Sequence, residues 1–411
     1  MNRPRLLFVS PRFLFPLDQG GKIRTVNILR RLKGGAFEVI LASPVPANVG
    51  PFIADIAAAC DRFVSWPAPR VTSIRRARAA LFDRLPVAAA TDRSPAGRRE
   101  VAAELARAPD VVVADFPHAA VLLPPGRLPV ASVLFTHNVE AEIFERQAKV
   151  SQGAWRALWQ SQARKMRRFE GEALRRFDTV IAVSARDAAE LKSRYLPQRL
   201  ATIDTGVDLD FFSFQPPPQA PEGGGTVIFT GTMSWPANAE GLGWMLEEVW
   251  PRVRAARPAA RAVIVGRGAP DWLMAKAREA GAAWEFTGFV DDIRPHVHAA
   301  HAYVIPLRVG SGTRIKAFEA IAMGCPMVST HIGIEGLDIA HGQHFLAADS
   351  AEDFAAAILC LLDNPAQARR IASQGRALVE EKFSWSAVAR QFETICLAAC
   401  AARGESVIAA G

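Results

Sequence analysis

The sequence predicts an α/β chain of two domains, each a parallel sheet flanked by helices, and three observations predict it. Short, wholly apolar runs of strand length alternate with stretches of helical periodicity along nearly the whole chain, the pattern of buried parallel strands with crossover helices. Twice a buried run passes through a glycine turn straight into a helix, at Leu6–Leu32 and at Ala302–Val328. Between the two halves, Phe212 to Gly225 holds Pro216, Pro217, Pro218, Pro221 and Gly223, Gly224, Gly225, a composition that marks a linker.

In the first half, Leu6 to Ser10 reads as a buried strand. A loop then carries Gly20 and Gly21 into a helix starting near Lys22 and running to Leu32. Phe37–Ala42 and Asp110–Asp115 read as further strands. Between Arg70 and Arg107 the arginines Arg70, Arg75, Arg76, Arg78, Arg84, Arg93, Arg98 and Arg99 face few acids. Such a run is either a patch for anionic lipid head groups or a solvated helical face. Val130–Phe135 is a strand leading into Thr136-His137-Asn138-Val139-Glu140. A histidine at the C-terminal end of a parallel strand projects where ligands collect, although a hydrogen-bonded structural histidine is the commoner case. Glu142 to Arg176 reads as a long helical segment with Trp155, Trp159, Met166 and Phe169 at near-helical spacing beside several bases; packing and membrane contact both suit it. Phe177–Ser184 is a strand, and Ala201–Asp208 the strand and turn that leave the first domain.

The second half restarts the pattern. Thr226–Gly231, Ala262–Gly268 and Trp284–Val290 read as strands with their turns, and Ala239–Trp250 as a helix. Asp291-Asp292 reads as a turn and helix cap. Ala302–Leu307 is another strand, followed by Gly310-Ser311-Gly312-Thr313-Arg314-Ile315-Lys316-Ala317-Phe318-Glu319. A helix N-terminus offers unpaired N–H groups, glycines let a ligand approach the backbone, and Arg308, Arg314 and Lys316 add cations. Glu319, about two turns further on, would repel phosphate but accept hydrogen bonds from sugar hydroxyls. These parts suit a nucleotide, with diphosphate at the turn and ribose at the carboxylate. Helical stretches at Phe354–Leu362, Ala366–Phe383 and Trp385–Ala401 complete the chain.

The segment Gly310-Ser311-Gly312-Thr313, Lys316, Phe318-Glu319-Ala320, Gly324-Cys325-Pro326-Met327-Val328 and Gly333-Ile334-Glu335-Gly336 resembles the donor-binding segment of retaining glycosyltransferases of family GT4. The likeness spans nearly the whole chain and is most specific between Gly231 and Gly336. It implies the GT-B fold, two Rossmann-like domains facing across a cleft: an acceptor-side domain over 1–212, a linker over 213–225 and a nucleotide-sugar donor domain over 226–384. A final helix over 385–411 in this fold often crosses back to the first domain. The resemblance implies that Glu319 holds the ribose and that amides of Gly310 to Thr313 hold the pyrophosphate. It further implies that His137 contacts the transferred sugar, with Glu140 a weaker candidate, and that Gly231, Gly266, Arg267, Phe289 and Val290 stand near the nucleotide. On the acceptor side it points to Gly20, Gly21 and Arg24, for which a tight turn needing glycine is an equal reading.

The activity implied is sugar transfer from a nucleoside diphosphate sugar, with retention, to a polysaccharide or lipid-linked acceptor of surface or exopolysaccharide assembly. No cofactor or metal is expected, because helix N-termini and basic side chains can stabilise the leaving diphosphate; Lys316, Arg308 and Arg314 are the candidates. Two departures stand out. Ser311 occupies the place of a first family glutamate that contacts the donor sugar. The stretch Gly231-Thr232-Met233-Ser234-Trp235-Pro236-Ala237-Asn238 lacks the Arg and Lys that often grip the diphosphate. An epimerase of the same architecture and a binding partner without catalysis, the latter suggested by Ser311 and Asn238, are the rivals.

The chain has 411 residues, 50% of them apolar, which suits two domains of about 200 residues with full cores and argues against disorder. A net charge of +8 favours anionic partners. Nucleic acid is the weakest of these, with only two tyrosines in the chain and no alternation of arginine with aromatics. The five cysteines show no paired spacing for zinc and read as reduced, buried thiols. No apolar stretch has membrane-spanning length and the N-terminal run is too short for a signal peptide, so a cytoplasmic protein, in peripheral contact with the inner face of the membrane, is expected.

Overall fold

The computed structural model describes residues 3–69, 71–309 and 315–408. The candidates Gly310, Ser311, Gly312, Thr313 and Arg314 lie outside the described residues. The chain divides into two compact units, one holding the residues up to Thr205 together with the chain end from Val388, the other Gly206–Ala387.

The first unit is built on seven strands: β1 (Arg5–Val9), β2 (Glu38–Val45), β3 (Arg62–Pro67), β4 (Val111–Asp115), β5 (Ala131–Phe135), β6 (Thr179–Ala182) and β7 (Leu200–Thr202). They lie in the order β3-β2-β1-β4-β5-β6-β7, all parallel. The central strands are mostly apolar, with Ser132 in β5 and Asp115 at the end of β4 the polar exceptions, and every residue of β4 and β5 is buried. Leu7, Val9, Val112, Leu134 and Val180 form the core with Met166, Leu174 and Phe177. From Val388 onward the Trp385–Ile408 helix packs here too: the Phe392 ring stands edge-on to Phe135 at 5.3 Å, and Glu393 Oε1 accepts the Ala36 N–H at 2.7 Å.

The second unit contains β8 (Gly224–Thr230), β9 (Ala259–Val265), β10 (Trp284–Gly288), β11 (Ala302–Ile305), β12 (Met327–Ser329) and β13 (Leu346–Ala347). Their order is β10-β9-β8-β11-β12-β13, again all parallel. One face packs Phe229, Leu242, Trp250 and Phe354, the other Ile228, Tyr303, Phe318 and Phe383. Part of the proline-rich stretch is tied to this unit, since the Gln215 N–H reaches Met323 O at 3.2 Å and Arg376 reaches Phe212 O at 3.1 Å.

Three helices differ from the sequence reading. The segment Glu142–Arg176 is two helices, Glu140–Val150 and Gly153–Arg176, because the chain turns at Gly153, whose φ of +54° suits glycine. The helix placed at Ala239 begins at Pro236, a first-turn proline. It continues to Ala256 through a π-turn at Met245–Val249, just ahead of Pro251, which lacks the N–H an α-helical ladder needs. The helix expected near Lys22 begins at Gly20.

Candidate functional site

In a parallel sheet, ligands collect outside the carboxyl ends of the strands where the strand order reverses. In the first unit that point lies between β1 and β4. Ser10 follows β1 and Asp115 ends β4; Ser10 Oγ donates to Asp115 Oδ2 at 2.9 Å. The other oxygen, Oδ1, takes Thr25 Oγ1 at 3.1 Å and His137 Nε2 at 2.8 Å. A buried carboxylate with three donors is satisfied without a cation.

This geometry favours one tautomer of His137. Burial pushes its pKa below the ordinary value, against the pull of Asp115, so the ring is neutral. Nε2 carries the proton towards the carboxylate, and Nδ1 is left to accept from Arg24, whose Nη1 is 3.3 Å away. Phe116 stacks on the ring at 4.0 Å and Phe135 lies at 4.4 Å. Both nitrogens are thus engaged, and the residue is 4% exposed. Arg24 also donates to Thr205 Oγ1 at 2.5 Å, while its buried Nε has no partner among the described residues. Burial lowers the Arg24 pKa to about 10, which leaves it charged at neutral pH.

Gly20, Gly21, Arg24, His137 and Glu140 line one cavity of about 490 Å³. Only Gly21 has a steric need to be glycine, since a Cβ there would meet Phe116 Cζ at 2.7 Å; at Gly20 nothing lies within 4 Å. Glu140 opens the Glu140–Val150 helix, whose first N–H groups are held by Glu170 at 2.7 and 3.2 Å. Burial and the charge of Glu170 raise the Glu140 pKa to about 7. His118 stands between Glu140 and Asp92, its ring nitrogens 3.8 and 3.7 Å from their carboxylates, and burial drives its pKa down to about 3.

In the second unit the order reverses between β8 and β11. The turn after β8 is glycine by necessity: Gly231 has φ +150°, and a Cβ on Gly266 (φ +139°) would meet Gly231 O at 2.1 Å. Lys316, on the Ile315–Ala322 helix, reaches this turn. Its Nζ donates to Thr230 O at 3.1 Å, lies 3.5 Å from Asn238 Oδ1 and sits 4.0 Å over the Phe229 ring. Asn238 in turn donates to Thr232 O at 2.8 Å. Glu319 stands three residues further along the same face of the helix. It is half-buried, its carbonyl accepts the Met323 N–H at 3.1 Å, and its carboxylate has no hydrogen bond or ion pair among the described residues. Burial pushes its pKa up to about 7, with Lys316 pulling the other way.

The structure therefore brings together Gly231, Gly266 and Lys316, with Glu319 on the same helix. Arg267 contributes its carbonyl, which accepts the Met233 N–H at 2.9 Å. Phe289 is 70% exposed just past β10, and Val290 packs against the core. Arg308 pairs with Glu240 at 3.0 Å and lines a cavity of about 640 Å³ with Ser234, Gly268 and Trp272. Sequence reasoning missed Asp115. The available signal was an acid at the end of the apolar run Val111–Ala114, the same signal that singled out His137.

A model described as Glycosyltransferase Family 4 matches residues 19–211, and one described as Glycosyl transferases group 1 matches residues 224–364. The chain belongs to the GT4-like, group 1 glycosyltransferases. Among curated proteins, a glycogen synthase of Mycobacterium tuberculosis is 29% identical over 253 residues, 59% of this chain and 59% of the relative. The chain thus matches less than two thirds of that relative's length. Among solved structures, a sucrose-phosphate synthase from Thermosynechococcus elongatus superposes with a TM-score of 0.62 at 18% identity over 100% of both chains. Anabaena HepE in complex with UDP superposes with a TM-score of 0.60 at 14% identity, over 95% of this chain and 99% of that one. These likenesses show the fold, and the α/β, GT-B expectation agrees with them. In this GT4-like chain the two clusters, Asp115–His137 and Lys316–Glu319, each occupy the strand-order reversal of their own unit. Among the described residues no helix is long and apolar enough to cross a membrane.

Proposed function

We propose that the protein is a glycosyltransferase that moves a hexosyl group from a nucleoside diphosphate sugar to a saccharide or lipid-linked saccharide acceptor, with retention of anomeric configuration. The observation that carries the reading is Glu319, a half-buried carboxylate with the charge of Lys316 nearby but with no hydrogen-bond donor or ion pair among the described residues. Burying such a group is unfavourable unless something donates to it, and a vicinal diol supplies two donors. Lys316, one helical turn away, supplies a positive charge of the kind a leaving diphosphate requires. UDP in the complex with Anabaena HepE, a chain of the same fold, supports a nucleotide ligand.

In this reading Glu319 orients the ribose. Lys316, with the side chains and amides of Gly310 to Arg314, holds the diphosphate as negative charge grows on it, so no metal ion is called for. The transition state is dissociative, with positive charge on the anomeric carbon, and groups that grip the departing phosphate lower its energy more than they stabilise the ground state. The first unit, with Gly20, Gly21, Arg24 and Glu140 around its cavity, binds the acceptor, presented at the inner face of the cell membrane during surface polysaccharide assembly.

One observation favours a second reading, a subunit that binds nucleotide sugar without turning it over. Arg308 is paired with Glu240, and no base stands between Gly231 and Asn238 to take its place at the phosphates. Incubating the protein with a panel of nucleotide sugars, with and without lipid-linked acceptors, separates the two. Acceptor-dependent release of nucleoside diphosphate with an α-linked product from an α-linked donor is expected. Binding without release would replace transfer with the second reading, and an inverted product would overturn retention.

A further inference from the structure

The Ser73–Phe82 helix has no buried residue. Ile74, Leu81 and Phe82 are 74%, 64% and 82% exposed, among the most exposed large apolar side chains of the chain. At helical spacing Ile74, Ala77, Leu81 and Phe82 share one side, with Arg78 among them. The opposite side holds the helix to the protein, where Gln162 and Lys165 both donate to Ala80 O at 2.8 Å. Trp155, 67% exposed, stands two turns before Gln162 on the same stripe of its own helix. Large apolar side chains exposed together on one side of a helix mark a contact site.

The charge around it is mostly positive. Between 71 and 99 seven arginines stand against two acids, Asp83 and Asp92. Asp83 is bound by Arg93 at 2.7 Å and Asp92 lies 3.8 Å from Arg12, so neither offsets the remainder. Arg76, Arg78, Arg84, Arg98 and Arg175 have no ion pair or side-chain hydrogen bond among the described residues. Arg84, Arg98 and Arg175 line a cavity of about 780 Å³ with Leu85, Val121 and Phe169; its one acid, Glu172, is paired with Arg168 at 2.8 Å. It shares no lining residue with the Asp115–His137 cavity.

We propose that this face of the first unit docks on an anionic lipid surface. The Ser73–Phe82 helix lies in the interface with Ile74, Leu81 and Phe82 inserted, and the arginine-lined cavity receives a phosphate-bearing head group. An apolar ridge flanked by unpaired guanidinium groups matches the two layers of such a surface, acyl chains below and phosphates above. A nucleic acid would use the charge but would leave Ile74 and Leu81 without a role. The inference gives residues to the membrane contact proposed above and stands apart from donor turnover.

The test is sedimentation of the full chain with phosphatidylcholine vesicles, with and without about a third phosphatidylglycerol. Binding to the anionic vesicles alone, weakened by salt, is expected. The triple variant Ile74→Ser, Leu81→Ser, Phe82→Ser and the triple variant Arg76→Gln, Arg78→Gln, Arg84→Gln should each bind at least about tenfold more weakly. Both should release nucleoside diphosphate from soluble substrates at the unaltered rate, which separates lipid docking from the transferase reading. Equal binding to neutral vesicles, unaltered binding by either variant, or tight binding of an RNA oligomer with indifference to vesicles would overturn the proposal.

Discussion

Asp115 Oδ1 and His137 Nε2 meet at 2.8 Å where neither side chain is reached by solvent beyond 2%. The carboxylate that orients this ring also ties β1 to the Gly20–Leu32 helix through Ser10 and Thr25. Asp115→Ala should cost on the order of 3 kcal/mol, because three buried donors lose their acceptor at once. Urea unfolding measures this. Asp115→Asn, which keeps the volume, should shift the His137 ring off the Nε2–H tautomer, read by nitrogen chemical shifts. An unchanged tautomer would contradict the assignment.

Gly266→Ala should be severely destabilising, on the order of 2–4 kcal/mol, since its Cβ would stand 2.1 Å from Gly231 O at a φ of +139°. Gly288→Ala is the control: φ is +73° but nothing lies within 4 Å, so only the backbone strain, about 1 kcal/mol, is expected. Chemical denaturation of the two variants side by side checks the difference.

Lys316→Met keeps a long unbranched side chain and removes the charge that sits over the Phe229 ring. The turnover number should fall by about a hundredfold to a thousandfold while the melting temperature changes little. Initial rates of nucleoside diphosphate release decide it, and an undiminished rate would remove Lys316 from the phosphate site.

Glu319 titrates near 7 because it is buried, so it becomes a full acceptor only as pH rises through that value. The KM for the donor should therefore fall several-fold between about pH 6 and pH 8. In Glu319→Gln the same profile should be flat and KM high throughout.

Glu140 provides a stability test of the first unit. Its folded pKa, about 7, lies above the 4.5 of an unfolded glutamate, so the native state holds the proton longer than the unfolded chain. The stabilisation is fully present below about pH 4.5 and is lost as pH climbs through 7, amounting to about 3 kcal/mol. Glu140→Gln should abolish that decline, so that near pH 8 the variant is the more stable protein while near pH 4 the two are alike. Thermal melts across this range measure it.

Much of the fold was legible from local pattern alone. Val111–Ala114, Val227–Phe229 and Tyr303–Ile305 are continuous apolar runs of strand length, and a chain that alternates such runs with helices has few ways to bury them other than parallel sheets. The helix breaks were less legible. Nothing in the apolar spacing of Glu142–Arg176 announces the turn at Gly153, because the periodic residues on either side belong to two helices packed on the same core.

For the site, the sequence by itself determined which residue types stand at which strand ends: His137 after β5, Gly231 after β8, Gly266 after β9, and Lys316 with Glu319 one turn apart on a helix. Strand order was beyond it, since hydrogen bonding between β1 and β4, and between β8 and β11, joins residues about a hundred and about seventy-five positions apart. Only that pairing put Asp115 beside Ser10, Thr25 and His137, and only tertiary packing turned Arg308 to Glu240 and Lys316 to the Thr230 carbonyl. Ionisation was decided there as well. The same glutamate titrates as an ordinary acid in water and near neutrality at Glu319 or Glu140, because burial withdraws the solvent that would stabilise its charge.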